Sequence, residues 1–94
     1  MIHLVGDVDA TAEDTLAAAF ERAAAAGGGT VVLDFRRADY INSTGIALIV
    51  GLLGKARAQD LEVRATGLSE HYREIFEITR LSDFMTIEEG SAGA

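Results

Sequence analysis

Ninety-four residues suffice for one compact domain and are too few for two, and a chain with 49% hydrophobic and 24% charged residues has the balance of a folding protein rather than a disordered one. Eight Lys and Arg against fifteen Asp and Glu give a formal charge of −7, a field that repels a phosphate backbone, so nucleic acid is not an expected partner. The absence of cysteine excludes disulfides, thiolate metal sites and cysteine nucleophiles, and a reducing compartment is permitted.

Four strand candidates alternate with three helical ones, the order expected of an α/β fold with a mainly parallel four-stranded sheet, β-α-β-α-β-α-β. Ile2 to Gly6 is the first strand, and Met1 to Gly6 carries no basic region and no long apolar region, so it does not read as a signal peptide. Asp9 and Thr11 are placed to cap the following helix, which is expected to run to about Ala26 and to stop at Gly27-Gly28-Gly29. Its inward side is expected to be Ala12, Leu16, Ala19, Phe20 and Ala23, with Asp14 and Glu21 opposite. Thr30 to Phe35, nearly all apolar and rich in β-branched residues, is the expected sheet centre. After it, Asn42-Ser43-Thr44-Gly45 opens a helix that ends near Ala58, with Asn42 or Ser43 as N-cap. The apolar run Ile46 to Gly54 inside that helix is about half of a membrane span. Leu61 to Thr66 alternates apolar and polar, the pattern of a strand with one wet face. A third helix opens near Ser69 with Tyr72, Ile75 and Phe76 inward, and Phe84 to Ile87 supplies an edge strand. Residues 1–89 form the expected domain, and Gly90 to Ala94 a fraying tail.

Enzyme constellations mostly fail. His3 and His71 fall on different elements, so a metal site requires a coincidence of folding. Asp7 and Asp9 resemble a carboxylate pair, but they stand where a strand turns into a helix and capping accounts for them. A phosphoacceptor aspartate would need a lysine late in the sheet, and the only lysine, Lys55, falls inside a helix. The triple glycine follows a helix and lacks the spacing of a phosphate loop. No metal and no cofactor is implied.

Ser43 stands apart. A hydroxyl just past a strand-to-helix connection faces solvent at the carboxyl edge of a parallel sheet, where α/β proteins place working residues. A phosphate there would add about −1.5 to −2 charges beside the positive end of the helix dipole. The bland alternative is a capping serine. On the same helix Ile46, Ile49, Val50 and Leu53 make an inward stripe, which leaves Leu48 and Leu52 over, beside Lys55. Either another element covers those leucines or they form an exposed patch for a partner. Gly51 and Gly54 each cost roughly 1 kcal/mol of helix propensity, so a close approach to that backbone is expected.

The run Asp39-Tyr40-Ile41-Asn42-Ser43-Thr44-Gly45-Ile46 resembles the signature of the STAS family of anti-sigma factor antagonists, an apolar residue, then Asp-Ser-Ser/Thr-Gly, then an apolar helix. Gly6-Asp7-Val8-Asp9 resembles the family's early turn, Leu33-Asp34-Phe35 its central strand, and His71 to Phe84 its last helix and closing leucine-phenylalanine region. The resemblance implies a cytoplasmic, bacterial, non-catalytic module that binds a serine kinase acting as an anti-sigma factor and releases it when the motif serine is phosphorylated. A serine phosphatase restores the binding form. Carried over, the phosphorylation site is Ser43, with Thr44 the neighbouring hydroxyl and Gly45 the small residue that lets a partner approach; the expected partner-binding residues are Asn42, Ser43, Thr44 and Gly45, with Leu48 and Leu52 added from the helical wheel. No direct contact with nucleic acid or membrane is implied. Asn42 replaces the family's aspartate, and because the Gly6-Asp7 turn comes so early the additional N-terminal strand typical of the family is expected to be shortened or missing. The alternative is a STAS scaffold or ligand-sensing module that oligomerises without phosphorylation.

Overall fold

The computed structural model describes residues 1–88. The elements are β1 (Ile2–Val8), α1 (Glu13–Ala25), β2 (Thr30–Ile41), α2 (Ser43–Ala58), β3 (Glu62–Thr66), α3 (Glu70–Ile78) and β4 (Thr86–Ile87), with short 310 turns at Ala10–Ala12 and Leu81–Asp83. All strand pairs are parallel, in the order β1-β2-β3-β4. The expected α/β class and element order are therefore realised. The tail, Gly90 to Ala94, lies outside the described residues.

Sequential parallel strands joined by right-handed crossovers place every connecting helix on the same side of the sheet. One contiguous core accordingly joins strand residues such as Leu33, Phe35 and Val63 to Phe20, Ile49 and Phe76 from the three helices. The Phe35 and Phe76 rings meet edge to face with centroids 5.8 Å apart, which pins α3 to the centre of the sheet. The first helix ends as its sequence dictates: Gly27, Gly28 and Gly29 all adopt positive φ, at +81°, +90° and +76°.

The opposite face of the sheet is polar and is left uncovered by the helices. Glu62 on β3 accepts from Thr30 and Thr86 hydroxyls at 3.4 Å each, and Arg64 reaches Glu88 at 3.4 Å. Such cross-strand pairs suit a wet face. Asp34 is the exception, 5% exposed among these exposed neighbours. Its Oδ1 accepts from the Arg36 backbone N–H at 3.0 Å and from Arg36 Nε at 3.1 Å. Its Oδ2 accepts from Arg36 Nη2 at 3.0 Å and from His3 Nδ1 at 2.9 Å.

Two strands outrun their sequence patterns. β1 extends to Val8 rather than Gly6, and β2 continues past Phe35 to Ile41, six residues beyond the apolar run. The reason is pairing: β3 matches only Thr30 to Asp34, whereas β1 follows β2 to Ile41. The charged half of β2 thus needs only one neighbour and tolerates water on the other side. β2 carries one extra residue between the partners of His3 and Val5, and another between those of Gly6 and Asp7. The closing strand is shorter than expected, Thr86–Ile87, because Leu81–Asp83 coils first.

The Arg36 guanidinium beside Asp34 holds that carboxyl well below the usual carboxylate range, against the opposing effect of burial and with help from the Arg36 N–H and His3. A lowered folded-state pKa means stability that is fully present above the ordinary carboxylate range and is lost progressively as pH falls from that range down through the depressed native value. Asp34→Asn is expected to cost about 1–2 kcal/mol at neutral pH, the low end for charged hydrogen bonds because Arg36 is largely exposed. In urea unfolding at neutral and acid pH, the gap between the two proteins should shrink on acidification. A gap independent of pH would show that the Asp34 charge contributes nothing.

Candidate functional site

The end of β2 and the start of α2 are held by four contacts. Ile41 donates its backbone N–H to the Tyr72 hydroxyl at 2.9 Å, which ties the strand end to α3. Asn42 donates its own N–H to the Val8 carbonyl at 3.2 Å, which ties it to β1. Asn42 has an extended backbone and its Oδ1 accepts from the Gly45 N–H at 2.8 Å, while its carbonyl accepts from Ile46 at 2.9 Å. Of the two capping candidates, Asn42 is therefore the N-cap.

Ser43 becomes the first residue inside the helix. It is exposed, and its hydroxyl makes no hydrogen bond among the described residues. Thr44 is exposed beside it, and Gly45 is buried. A Cβ on Gly45 would collide with the Val8 carbonyl and crowd Ile41, so a side chain at that position is incompatible with the approach of α2 to β1. The structure thus brings Asn42, Ser43, Thr44 and Gly45 together as one helix entrance at the carboxyl ends of β1 and β2. Asp9, at the end of β1, caps the Ala10–Ala12 turn by accepting from the Thr11 N–H, and the Thr11 hydroxyl lowers its carboxyl pKa.

The faces of α2 differ from expectation. Leu52 is 4% exposed and belongs to the core, not to an exposed patch, and Leu48 is half-buried. The cause is α1, which packs against the flank of α2 that the helical wheel left free. Leu16 and Phe20 of α1 share with Leu48 and Leu52 a shallow concavity of about 310 Å³, with Glu13 and Lys55 on its lining. The buried arc is Gly45, Ile49, Leu52, Leu53 and Ala56. Val50, expected inward, is instead 48% exposed, and Ile46 is only partly buried.

That rotation creates a surface the sequence reading missed. Ser43, Ala47, Val50 and Gly54 follow at i, i+4, i+7 and i+11, so they share one exposed helix face. Beside them Gly51 and Gly54 have no atom within 4 Å of where a Cβ would stand. The close approach expected at these glycines is not made by any described part of this chain. The signal was present in the two helix-weakening glycines, but its direction depended on where α1 docks.

The remaining candidates resolve into structural roles. His3 bonds Asp34, and the His71 ring packs on Tyr72 with centroids 5.0 Å apart. Among the described residues no three His, Cys, Asp or Glu side chains come together as a metal site, and no helix is long and apolar enough to cross a membrane.

The family model described as the STAS domain matches residues 1–94. The anti-sigma-B factor antagonist of Listeria monocytogenes is 31% identical over 87 residues, covering 93% of this chain and 76% of that protein. The protein of the same name from Staphylococcus aureus is 34% identical over 61 residues, 65% of this chain, and the match spans only 56% of that relative's length. Among solved structures, unphosphorylated anti-sigma factor antagonist SpoIIAA superposes with a TM-score of 0.69 at 20% identity, covering 93% of this chain and 76% of that one. The phosphorylated form of the Bacillus cell fate determinant SpoIIAA gives 0.67 at 24% identity, covering 96% and 83%. At those identities the likeness is one of fold.

The assignment of cap and core makes two contrasts measurable by urea unfolding. Asn42→Ala should cost about 1 kcal/mol, while Ser43→Ala should stay within about 0.5 kcal/mol. Leu52→Ala should cost about 2–5 kcal/mol and Val50→Ala well under about 1 kcal/mol. A reversal of either order would contradict the assignment.

Proposed function

We propose, since the chain belongs to the STAS domain family, that it acts as an anti-sigma factor antagonist whose partner binding is switched by phosphorylation of Ser43. The observation that carries this reading is the free, exposed hydroxyl of Ser43 at the first position of α2, relieved of capping duty by Asn42. A kinase can therefore take that hydroxyl without breaking a bond that the fold uses. A phosphate there adds about −1.5 to −2 charges at the positive end of the helix dipole, so the fold tolerates it while the surface changes sign.

The partner in this reading is a serine kinase that serves as the anti-sigma factor, bound in the cytoplasm when Ser43 is unmodified. A serine phosphatase reverses the switch, and the module itself performs no catalysis and uses no cofactor. The contact surface is Asn42, Ser43, Thr44 and the backbone at Gly45, continued along α2 by Ala47, Val50, Gly51 and Gly54, with Leu48 at the margin. Leu52 is left out because α1 covers it. The small residues let a partner backbone come close, and Val50 supplies an apolar anchor.

Asn42 stands where the family usually carries aspartate. It keeps the cap and removes a carboxylate from beside the phosphate, so phosphorylation should disturb the helix entrance little. The same change removes a carboxylate with which a kinase could orient the hydroxyl. Phosphorylation should accordingly be slower than for Asn42→Asp, with binding of the unmodified forms alike; equal rates would show that the asparagine is neutral.

Binding assays with the partner kinase test the switch itself. Ser43→Ala should bind persistently in the presence of ATP, and Ser43→Asp should bind at least about tenfold more weakly, the cost of one misplaced charge in an interface. If both variants bind as the wild type does, Ser43 is not the switch. Failure of the kinase to phosphorylate either the wild type or Asn42→Asp would favour a scaffold that works without modification.

A further inference from the structure

The uncovered face of the sheet carries a second feature, far in character from the helix entrance. His3, Val5, Asp34, Arg36 and Arg37 line a concavity of about 630 Å³ over the β1–β2 pair. In a chain with fifteen acids and eight basic residues, two adjacent arginines and a histidine line it with, among the described residues, a single acid. We propose that this concavity binds a small multivalent oxyanion, a phosphate ester or a polycarboxylate.

Three observations carry the inference. Among the described residues the one acid lining the site, Asp34, is buried, and both its oxygens are engaged by His3 and Arg36. It orients the donors and leaves their outer edges to a ligand. Arg36 gives Nε and Nη2 to Asp34, so its guanidinium is held in one plane while Nη1 is not used by that pair. A guanidinium oriented in advance loses less freedom on binding an oxyanion.

Arg37 supplies the second charge. It is exposed, and among the described residues it has neither an ion pair nor a side-chain hydrogen bond. Strand alternation would ordinarily send Arg36 and Arg37 to opposite faces. The extra β2 residue between the partners of His3 and Val5 breaks that alternation, and both arginines line the same concavity.

His3 completes the rim. Its Nδ1 bonds Asp34, and the ring is largely exposed, so Nε2 is available to a ligand. Val5, 67% exposed, provides an apolar wall for the carbon portion of an organic anion.

The test is an NMR titration of the full chain with inorganic pyrophosphate and, separately, citrate. Saturable shifts centred on the amides of His3 to Val5 and Asp34 to Arg37 are expected, and the tighter of the two probes identifies the phosphate or the carboxylate class. Arg37→Gln, which breaks no internal pair, should weaken binding about tenfold, and Arg36→Gln at least as much. Arg22→Gln on α1 should leave it unchanged. Absence of saturable shifts with both probes, or equal binding by wild type and Arg37→Gln, would overturn the proposal. The partner-binding assays on Ser43 read a different surface, so the two ideas fail independently.

Discussion

The close approach of the first turn of α2 to the carboxyl end of β1 is the constraint on which the site depends. Gly45 leaves no room between helix and Val8 carbonyl, and the same carbonyl accepts the Asn42 N–H at 3.2 Å. Once the chain is held there, Asn42 has the geometry to cap and Ser43 cannot point inward. A side chain at position 45 would push the helix off the strand and take the cap and the serine with it. The exposed hydroxyl is thus a consequence of backbone packing rather than of anything Ser43 itself contributes.

A parallel sheet is usually covered on both faces, because its crossovers lay helices on each side. Here sequential strand order puts all helices on one side, and the other is kept wet by polar cross-strand pairs and by the buried Asp34 with its arginine and histidine partners. The same residues that make an open face tolerable gather donors at the β1–β2 pair. The molecule therefore presents two chemically different surfaces: an uncharged helix entrance with small residues behind it, and a cationic hollow on an otherwise acidic chain.

Much of this was legible in the sequence because it follows from local chemistry. The alternation at Leu61 to Thr66, the three glycines after α1 and the Asn42-Ser43-Thr44-Gly45 entrance each fix a local conformation, and each is found where its residues place it. What failed was non-local. The wheel of α2 is apolar over most of its circumference, so its buried arc is set by where α1 docks, and Val50 and Leu52 exchange their expected roles. The length of β2 is set by its neighbour β1 rather than by its own composition. The Asp34, Arg36 and His3 cluster joins residues 31 apart in the chain, and no spacing rule announces it.

The account stands most directly on the modification state of the protein in the cell. Purification of the native protein with whatever is bound to it, followed by mass spectrometry of the peptide containing Ser43, reads partner and modification together. The account predicts that a kinase accompanies the unmodified protein and is absent from the fraction phosphorylated at Ser43. A kinase retained equally by both fractions, or phosphate found on another residue with Ser43 untouched, would contradict it.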